Sequence, residues 1–180
     1  MMQEYTVRST RTKTDSAAHR IVDVFAVLLI CAAVLFLIFG VMLVPARLNG
    51  SNVYELASGD VILIDRVSKY LTDYAVGDLV RAETEAGESI FRVAALSGSS
   101  YLVRGGRAYL DGALLDESAY SAGWDRNVEL SFHVPENELL LLPDDRTGVT
   151  SLTGWAVRIT DIYGEVRFRI APFKRFALFY

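Results

Sequence analysis

One uninterrupted apolar segment near the N-terminus constrains this 180-residue chain more than any other feature of its sequence. Residues 24–44 read VFAVLLICAAVLFLIFGVMLV and contain no charged side chain. As an α-helix, this segment would be about 31 Å long, which matches the hydrocarbon core of a bilayer, about 30 Å thick. A helix satisfies its own backbone hydrogen bonds in lipid, so the sequence predicts one transmembrane helix over residues 21–44.

The charges that flank this segment predict its orientation. Basic residues are more frequent before it than after it: Arg8, Arg11, Lys13 and Arg20 precede it, and Arg47 follows closely. The positive-inside rule therefore predicts that residues 1–20 lie in the cytoplasm and that residues from 45 onward lie outside the cell membrane. Because residues 1–20 are polar, we expect them to form a disordered tail. A cleavable signal peptide is the alternative, but its apolar core is usually about 7–15 residues long, which favours a retained anchor.

Composition excludes several classes of function. The net charge of −4 gives no global indication of nucleic-acid binding. Cys31 is the only cysteine and lies inside the apolar segment, so no disulfide is expected in the outer domain. The two histidines, His19 and His133, lie far apart on opposite sides of the segment, and we therefore predict no metal site and no cofactor.

Short runs of β-forming residues separated by turn residues follow residue 50. Asp111-Gly112 between two apolar runs is a strong hairpin signal. Because no long segment with a helical period follows the anchor, the pattern predicts a mainly β domain of antiparallel sheets over residues 45–172. The predicted strand regions are Val61–Ile64, Leu79–Val80, Ile90–Leu96, Tyr101–Val103, Ala108–Leu110, Ala113–Leu115, Leu139–Leu142, Trp155–Ile159 and Val166–Ile170.

Residues 173–180 form a C-terminal tail that is both basic and aromatic. With the end of the last predicted strand, the tail interleaves two kinds of side chain: Arg167, Arg169, Lys174 and Arg175 with Phe168, Phe173, Phe176, Phe179 and Tyr180. Such a mixture is typical of a membrane interface. An alternating last strand followed by a frayed end explains it equally well, and both interpretations stay open.

Five groups of short motifs occur in order along the chain. They are SNVYELASGD at 51–60 followed by VILIDR, YAVGDLV at 74–80, FRVAALSG at 91–98, YLDG at 109–112, and VPE at 134–136 followed by LPDDR at 142–146. In this order, behind such an anchor, they resemble the motifs of type I signal peptidases, the bacterial leader peptidases. The resemblance covers about residues 21–172 and implies a signal-peptidase-like antiparallel β domain.

The resemblance also implies a chemistry and a site. These enzymes are serine endopeptidases that cut exported precursors where the signal peptide ends, and Ser51 matches the nucleophile. A lysine of lowered pKa acts as the base, and backbone N–H groups stabilise the oxyanion. Further residues are implied in binding near this site: Asn52, Tyr54, Leu56, Arg92, Asp144, Arg146 and Ser151.

The general base is missing from the motif. Phe91 occupies the position of the lysine, opposite the Ser51 hydroxyl, and a phenyl ring cannot accept a proton. Arg92 follows it but stays protonated. Lys69 and His133 are interpreted as an ordinary surface lysine and an ordinary strand histidine. We therefore expect Phe91 to be buried, and no Lys or His nitrogen within about 3.2 Å of the Ser51 hydroxyl.

Three functions remain as alternatives. The first is a catalytically degenerate signal-peptidase-like protein that binds exported precursors or assists their assembly, pilins being one example. The second is an active signal peptidase in which Ser51 works with an unusual base. The third is an unrelated membrane-tethered β domain whose motifs match by chance. For Ser51 itself, the Asn49-Gly50-Ser51 sequence also suits a turn in which the hydroxyl bonds its own backbone.

Overall fold

A computed structural model describes residues 13–67, residue 70 and residues 73–179. The chain divides into an N-terminal unit that ends at Gly40 and a second unit that begins at Val41. Helix α1 spans Lys13–Leu37, and a π-helical turn, Ile38–Met42, follows it. The segment His19–Met42 is long and apolar enough to cross a membrane. Arg8, Arg11, Lys69 and Tyr180 lie outside the described residues.

The helix begins and ends earlier than the sequence predicts. Residues 13–20 are helical rather than disordered, because Ala17 and Ala18 are strong helix formers that extend the apolar segment backwards. The predicted disordered residues 1–12 lie outside the described residues. At the other end, Leu43 begins strand β1 (Leu43–Arg47) instead of continuing the helix. Pro45 lies inside this strand, which an edge strand tolerates.

The second unit is mainly β, and its strands pair antiparallel, as predicted. Within the described residues, the larger sheet has eight strands; its order is β1, β2 (Val61–Asp65), β11 (Gly164–Ala171), β3 (Leu79–Thr84), β4 (Gly87–Ala95), β9 (Glu138–Leu142) and β10 (Ala156–Arg158), with β12 (Ala177–Leu178) beside β11. The smaller sheet has four strands in the order β7 (Ala113–Leu114), β6 (Arg107–Leu110), β5 (Ser100–Arg104) and β8 (Leu130–His133).

Local signals located most of these strands correctly. Asp111 and Gly112 both have positive φ, 49° and 82°, and connect β6 to β7 as the hairpin signal predicts. The frayed end proposed for the tail is wrong where the structure describes it. Ala177 and Leu178 pair with Arg169 and Phe168, so the tail folds back onto β11.

Strand β4 separates two hydrophobic clusters, because neighbouring side chains of a strand point to opposite faces. Ile90 packs in one cluster with Leu56. Phe91 packs in the other cluster with Trp155. A third cluster centres on Tyr101 beneath the smaller sheet. The loop that follows β1 therefore covers one face of β4, whereas Phe91 lies on the other face.

Candidate functional site

Residues 48–60 form the loop that carries Ser51, and this segment is called the serine loop below. Its ends are joined by two backbone hydrogen bonds: Leu48 N–H donates to Asp60 O at 2.9 Å, and Gly59 N–H donates to Leu48 O at 2.8 Å. Val53 is buried with Leu56 against the sheet. These apolar contacts fix the middle of the loop and leave Ser51 half-buried at the surface.

The Ser51 hydroxyl is engaged with its own turn. Val53 N–H donates to Ser51 Oγ at 3.1 Å, and the hydroxyl lies 3.3 Å from Val53 O, to which it donates. Across the described part of the chain, no Lys or His nitrogen hydrogen-bonds to this oxygen. This is the serine turn that the Asn49-Gly50-Ser51 sequence suggested as the alternative to a nucleophile.

Ser51 nevertheless lines an open cleft of about 410 Å³. One wall consists of residues 46–52, and the other wall includes Arg81, Glu88 and Ile90. A neighbouring cleft of about 280 Å³ begins beside Val44 and shares Arg81 and Glu88 with the first. Because Arg81 and Glu88 line both clefts, the two clefts lie next to each other beside β1, and they are together called the Ser51 groove below. An open groove of this shape suits an extended peptide rather than a compact ligand.

Phe91 is fully buried, as predicted, with 0% of its surface exposed. Its ring meets the edge of the Trp155 ring at 79°, with centroids 5.8 Å apart. It pairs across β3 and β4 with Val80. The expectation that Phe91 lies opposite the Ser51 hydroxyl is wrong, because strand alternation turns its side chain to the other face. The β4 side chain that lines the cleft with Ser51 is Ile90.

Arg92 and Asp144 hold the serine loop from one side. Arg92 Nε donates to Asp144 Oδ1 at 2.9 Å, and Arg92 Nη2 donates to Asp144 Oδ2 at 3.1 Å. Arg92 Nη2 also donates to Glu55 Oε2 at 2.6 Å. Asp144, with 0% of its surface exposed, accepts a hydrogen bond from Tyr54 N–H at 2.9 Å, and its own N–H donates to Asn52 O at 2.8 Å. Asp144 thus holds two backbone groups of the serine loop, Tyr54 N–H through its carboxylate and Asn52 O through its own N–H.

Electrostatics favour the charged form of Arg92 despite its burial. Removal from water lowers the pKa of a guanidinium, but the hydrogen bonds and charge of Asp144, followed by the charge of Glu55, outweigh it, so the pKa of Arg92 is raised. The guanidinium also stacks over the Tyr120 ring, 4.1 Å from its centroid. Arg92 therefore stays protonated, and its positive charge is paired with Asp144 and Glu55.

The other side of the serine loop is held by residues that sequence reasoning missed. Asp60 is buried and pairs with Arg175 at 3.1 Å and with Arg169 at 3.6 Å. Both arginines also donate to the backbone oxygen of Glu55. Asp60 further accepts a hydrogen bond from Ala57 N–H at 2.9 Å. The only signal in the sequence was the row of basic residues near the C-terminus, which gave no hint of a partner at residue 60.

Four further candidate residues have different surroundings. Within the serine loop, the Leu56 side chain is buried against the sheet and does not line the cleft, whereas Tyr54 is exposed. Arg146 packs beneath the smaller sheet, where its Nη2 donates to Glu117 at 2.6 Å. Ser151 is exposed and accepts a hydrogen bond from Thr153 N–H at 3.4 Å. The structure therefore gathers Asn52, Tyr54, Arg92 and Asp144 at the loop, whereas the hydrogen bonds described for Arg146 and Ser151 go to other residues.

His133 does not approach Ser51 as a substitute base. It lies on β8, where its Nδ1 is 3.2 Å from Ser100 Oγ on the neighbouring strand β5. Both side chains are exposed on the smaller sheet. Within the described ranges, no group of three or more His, Cys, Asp or Glu side chains is arranged to hold a metal ion.

The model of one protein family, described as signal peptidase, peptidase S26, matches residues 21–170. The chain belongs to this family. A similar solved structure is the crystal structure of a signal peptidase I from Enterococcus faecalis V583, with 18% identity and a TM-score of 0.41; the match covers 52% of this chain and 97% of that one. No curated protein matches the chain significantly.

Membership of the signal peptidase family confirms the resemblance found in the motifs. The third alternative, an unrelated β domain with chance matches, is therefore wrong. The family implies signal-peptide-bearing precursors as substrates, and the apolar N-terminal helix could serve as its membrane anchor. At the two positions that the motif resemblance assigns to the nucleophile and its base, this chain carries Ser51 and the buried Phe91.

Proposed function

We propose that this signal peptidase family protein is held in the membrane by α1 and binds exported precursors along the Ser51 groove without cleaving them. The observation that supports this most strongly is that the Ser51 hydroxyl bonds Val53 and that, among the described residues, no Lys or His nitrogen hydrogen-bonds to it. A serine hydroxyl is a poor nucleophile until a neighbouring base takes its proton. The turn hydrogen bonds of Ser51 with Val53 satisfy the hydroxyl in a resting, unactivated state.

The groove supports a role for a peptide that arrives from the membrane. It begins beside Val44, close in sequence to Met42, the end of the candidate membrane span. With the N-terminus in the cytoplasm, as the flanking charges indicate, the β domain would work on the extracytoplasmic side. A precursor held there would be presented for secretion or for assembly into surface structures such as pili.

The test uses the full chain in lipid nanodiscs and a precursor whose signal peptide ends in Ala-x-Ala. We expect saturable binding, no cleaved product by mass spectrometry, and affinity for Ser51→Ala within about twofold of the unmodified chain. Ala86→Trp, which fills the groove, should weaken binding at least about tenfold, since it removes the space for the peptide. Ala113→Trp, at an exposed alanine of β7, is the matched control.

An active peptidase is the second candidate, favoured by the position of Ser51 in an open cleft. Cleavage of the precursor at the Ala-x-Ala site, abolished by Ser51→Ala, would establish it and overturn the binding-only proposal. Phe91→Lys should not create robust cleavage, because residue 91 faces the cluster of Trp155 and not the cleft. Efficient cleavage by that variant would show that the lysine motif still works here.

A further inference from the structure

The smaller sheet has one face toward the core and one face toward water. Neighbouring side chains of a strand alternate between these two faces. On β5, Tyr101 and Val103 are fully buried in the cluster beneath the sheet, whereas Leu102 between them is 38% exposed. Leu114 on β7 is 58% exposed. Within the described residues, Leu102 and Leu114 belong to none of the hydrophobic clusters, so the outer face presents apolar side chains without a cover.

The exposed apolar side chains form one row across the strands. Leu114 pairs with Tyr109, and Tyr109 pairs with Leu102. Directly paired residues of antiparallel strands point to the same face, so these three side chains lie side by side. Ser131 on β8 pairs with Leu102 and ends the row. These four residues are called the central row below. An exposed apolar patch with a polar rim is typical of an interaction surface.

Polar and charged residues flank the central row on both sides, two positions along the strands. The first flank consists, from β6 toward β8, of Arg107, Arg104 and Glu129. The second flank consists, in the same order, of Asp111, Ser100 and His133. Arg104 Nε lies 3.6 Å from Glu129 Oε1 in an exposed ion pair. Ser100 N–H donates to Asp111 Oδ1 at 2.7 Å, and Ser100 Oγ lies 3.2 Å from His133 Nδ1.

We propose that this outer face packs against the same face of a second copy of the chain, around a two-fold axis that runs along the central row. A two-fold axis brings identical surfaces together, and a residue on the axis meets its own counterpart. Leu114, Tyr109 and Leu102 of the two copies therefore form one apolar layer between two facing sheets. The contact joins the faces of two sheets and leaves their edge strands apart.

The charges of the two flanks favour this axis. It sets the first flank of one copy against the second flank of the other, so Arg107 faces Asp111 and Glu129 faces His133. Symmetry forms each of these pairs twice. A two-fold axis parallel to the strands, between β5 and β6, would instead set Arg104 against Arg107 of the other copy. Like charges in that position oppose association.

The size of the face favours a second copy over a soluble partner. Four described strands about 4.8 Å apart, with at most five residues at about 3.3 Å each, give a flat area of roughly 320 Å² per copy. Stable interfaces of soluble proteins bury about 800 Å² on each partner. A second copy held in the same membrane by α1 is present at high effective concentration, so a small interface is sufficient. The inference rests on the anchoring proposed above and not on precursor binding.

Crosslinking of single cysteines tests this arrangement for the full chain in cell membranes, without added precursor. Cys31→Ser is the background, so that each variant carries one thiol. A short bismaleimide should link Leu114→Cys to its own counterpart, because residue 114 lies on the axis. Ala113→Cys is the matched control: it is also exposed on β7 but points away from the outer face, and we expect at least about fivefold less linked product.

Off the axis, efficient linking should need two different variants. Residues 100 and 104 lie on opposite flanks, each about 6.7 Å from the central row along β5. Arg104→Cys therefore faces Ser100→Cys of the other copy, whereas two copies of either variant place their thiols about 13 Å apart along the strand. When the two variants carry tags of different size, the mixed product should exceed either self-linked product at least about fivefold.

A charge exchange at residue 114 completes the test with the same mixed pair. Leu114→Glu in both partners should lower the mixed product at least about fivefold, because two carboxylates meet on the axis. Leu114→Glu in one partner and Leu114→Lys in the other should restore it. Equal linking of residues 113 and 114, self-linking of Arg104→Cys as strong as mixed linking, or no restoration by the opposite charges would each overturn the proposal.

An alkaline carbonate wash of the same membranes separates this proposal from the proposed function. Retention of the chain without linking at residue 114 would overturn the two-fold contact alone. Release of the chain by the wash would refute the anchoring by α1 and, with it, both proposals. A failure of precursor binding, measured separately, would leave the linking pattern unchanged.

Discussion

Arg92 and Arg146 are both buried, yet they hold different parts of the molecule. Arg92 joins Asp144 to Glu55 and ties the serine loop to the larger sheet. Arg146 joins Glu117 and the Pro143 carbonyl and lies 5.7 Å from the centre of the Trp124 ring, beneath the smaller sheet. We call these the Arg92 cluster and the Arg146 cluster.

The two clusters differ in which part of the protein their buried arginine holds in place. Removing a guanidinium from water is costly, and its ion pairs at best offset that cost. In the Arg92 cluster, the arrangement fixes backbone atoms of the loop that carries Ser51. In the Arg146 cluster, Tyr101 also donates to Glu117, and Arg146 donates to the carbonyl of Pro143 directly after β9; no hydrogen bond of this cluster that the structure describes reaches the serine loop. We infer that one cluster positions the site and that the other stabilises the fold alone.

Asp144→Ala should have the largest effect. It leaves Arg92 buried beside only one carboxylate and frees Tyr54 N–H, so we expect a loss of about 3–5 kcal/mol in the free energy of unfolding. Precursor binding should weaken as well, because the serine loop loses its support. Denaturant unfolding measures the first effect. Asp161→Ala, which breaks the exposed pair with Arg158, is the control, and an equal effect of both variants would contradict the prediction.

Arg146→Met should separate stability from binding. It leaves Glu117 buried without its cation, and we expect a loss of about 3 kcal/mol. Precursor affinity should stay within about twofold, because no hydrogen bond among the described residues joins the Arg146 cluster to the serine loop. If affinity falls as far as it does in Asp144→Ala, the two clusters are coupled and the comparison fails.

Alkaline pH should affect the Arg146 cluster through Tyr101. Burial, followed by the charge of Glu117, raises the pKa of Tyr101 in the folded protein. A raised folded pKa gives a contribution that is complete below the unfolded pKa, about 10, and declines above it by about 1.4 kcal/mol per pH unit. Unfolding free energies measured between neutral pH and strong alkali should therefore fall less steeply in Tyr101→Phe than in the unmodified protein. Identical slopes would argue against this origin.

Glu55→Gln should have the smallest effect. Glu55 is the partly exposed partner of Arg92, with a side chain that is 39% accessible. Asp144 remains to pair the guanidinium, and solvent screens the lost interaction, so we expect about 0.5–1 kcal/mol. Thermal melts in low and high salt check this, and the difference from the unmodified protein should shrink in high salt. A loss of unfolding free energy as large as that of Asp144→Ala would mean that Glu55, and not Asp144 alone, stabilises the charge of Arg92.

The sequence-based predictions were correct where a feature depends on neighbouring residues, and they failed where it depends on pairing between distant parts of the chain. The hairpin at Asp111-Gly112 and the β runs needed only neighbouring residues, so they were located correctly. Strand β1 was missed because Leu43 and Val44 continue the apolar composition of the helix. The pairing of Arg175 with Asp60 joins residues that are 115 positions apart, and no pattern in one sequence reports such a contact.

The candidate site was predicted in part for a similar reason. Motif order located the Ser51 loop and the residues Arg92 and Asp144 that support it. The apolar residues around Phe91 in the sequence predicted its burial, but they did not predict the face of β4 to which its side chain points. Which face of β4 lies under the serine loop depends on how that loop packs on the sheet, and a shift of one residue exchanges Ile90 for Phe91.

Proline in the outermost strand has a consequence for crowding. Edge strands leave backbone donors and acceptors unpaired, and copies of one protein confined to a membrane collide often. Pro45 removes a donor from the middle of β1, and the strand ends at Arg47, whose charge repels an identical neighbour. Adjacent copies would therefore resist fusing into one continuous sheet, and the groove along β1 would remain free for a peptide.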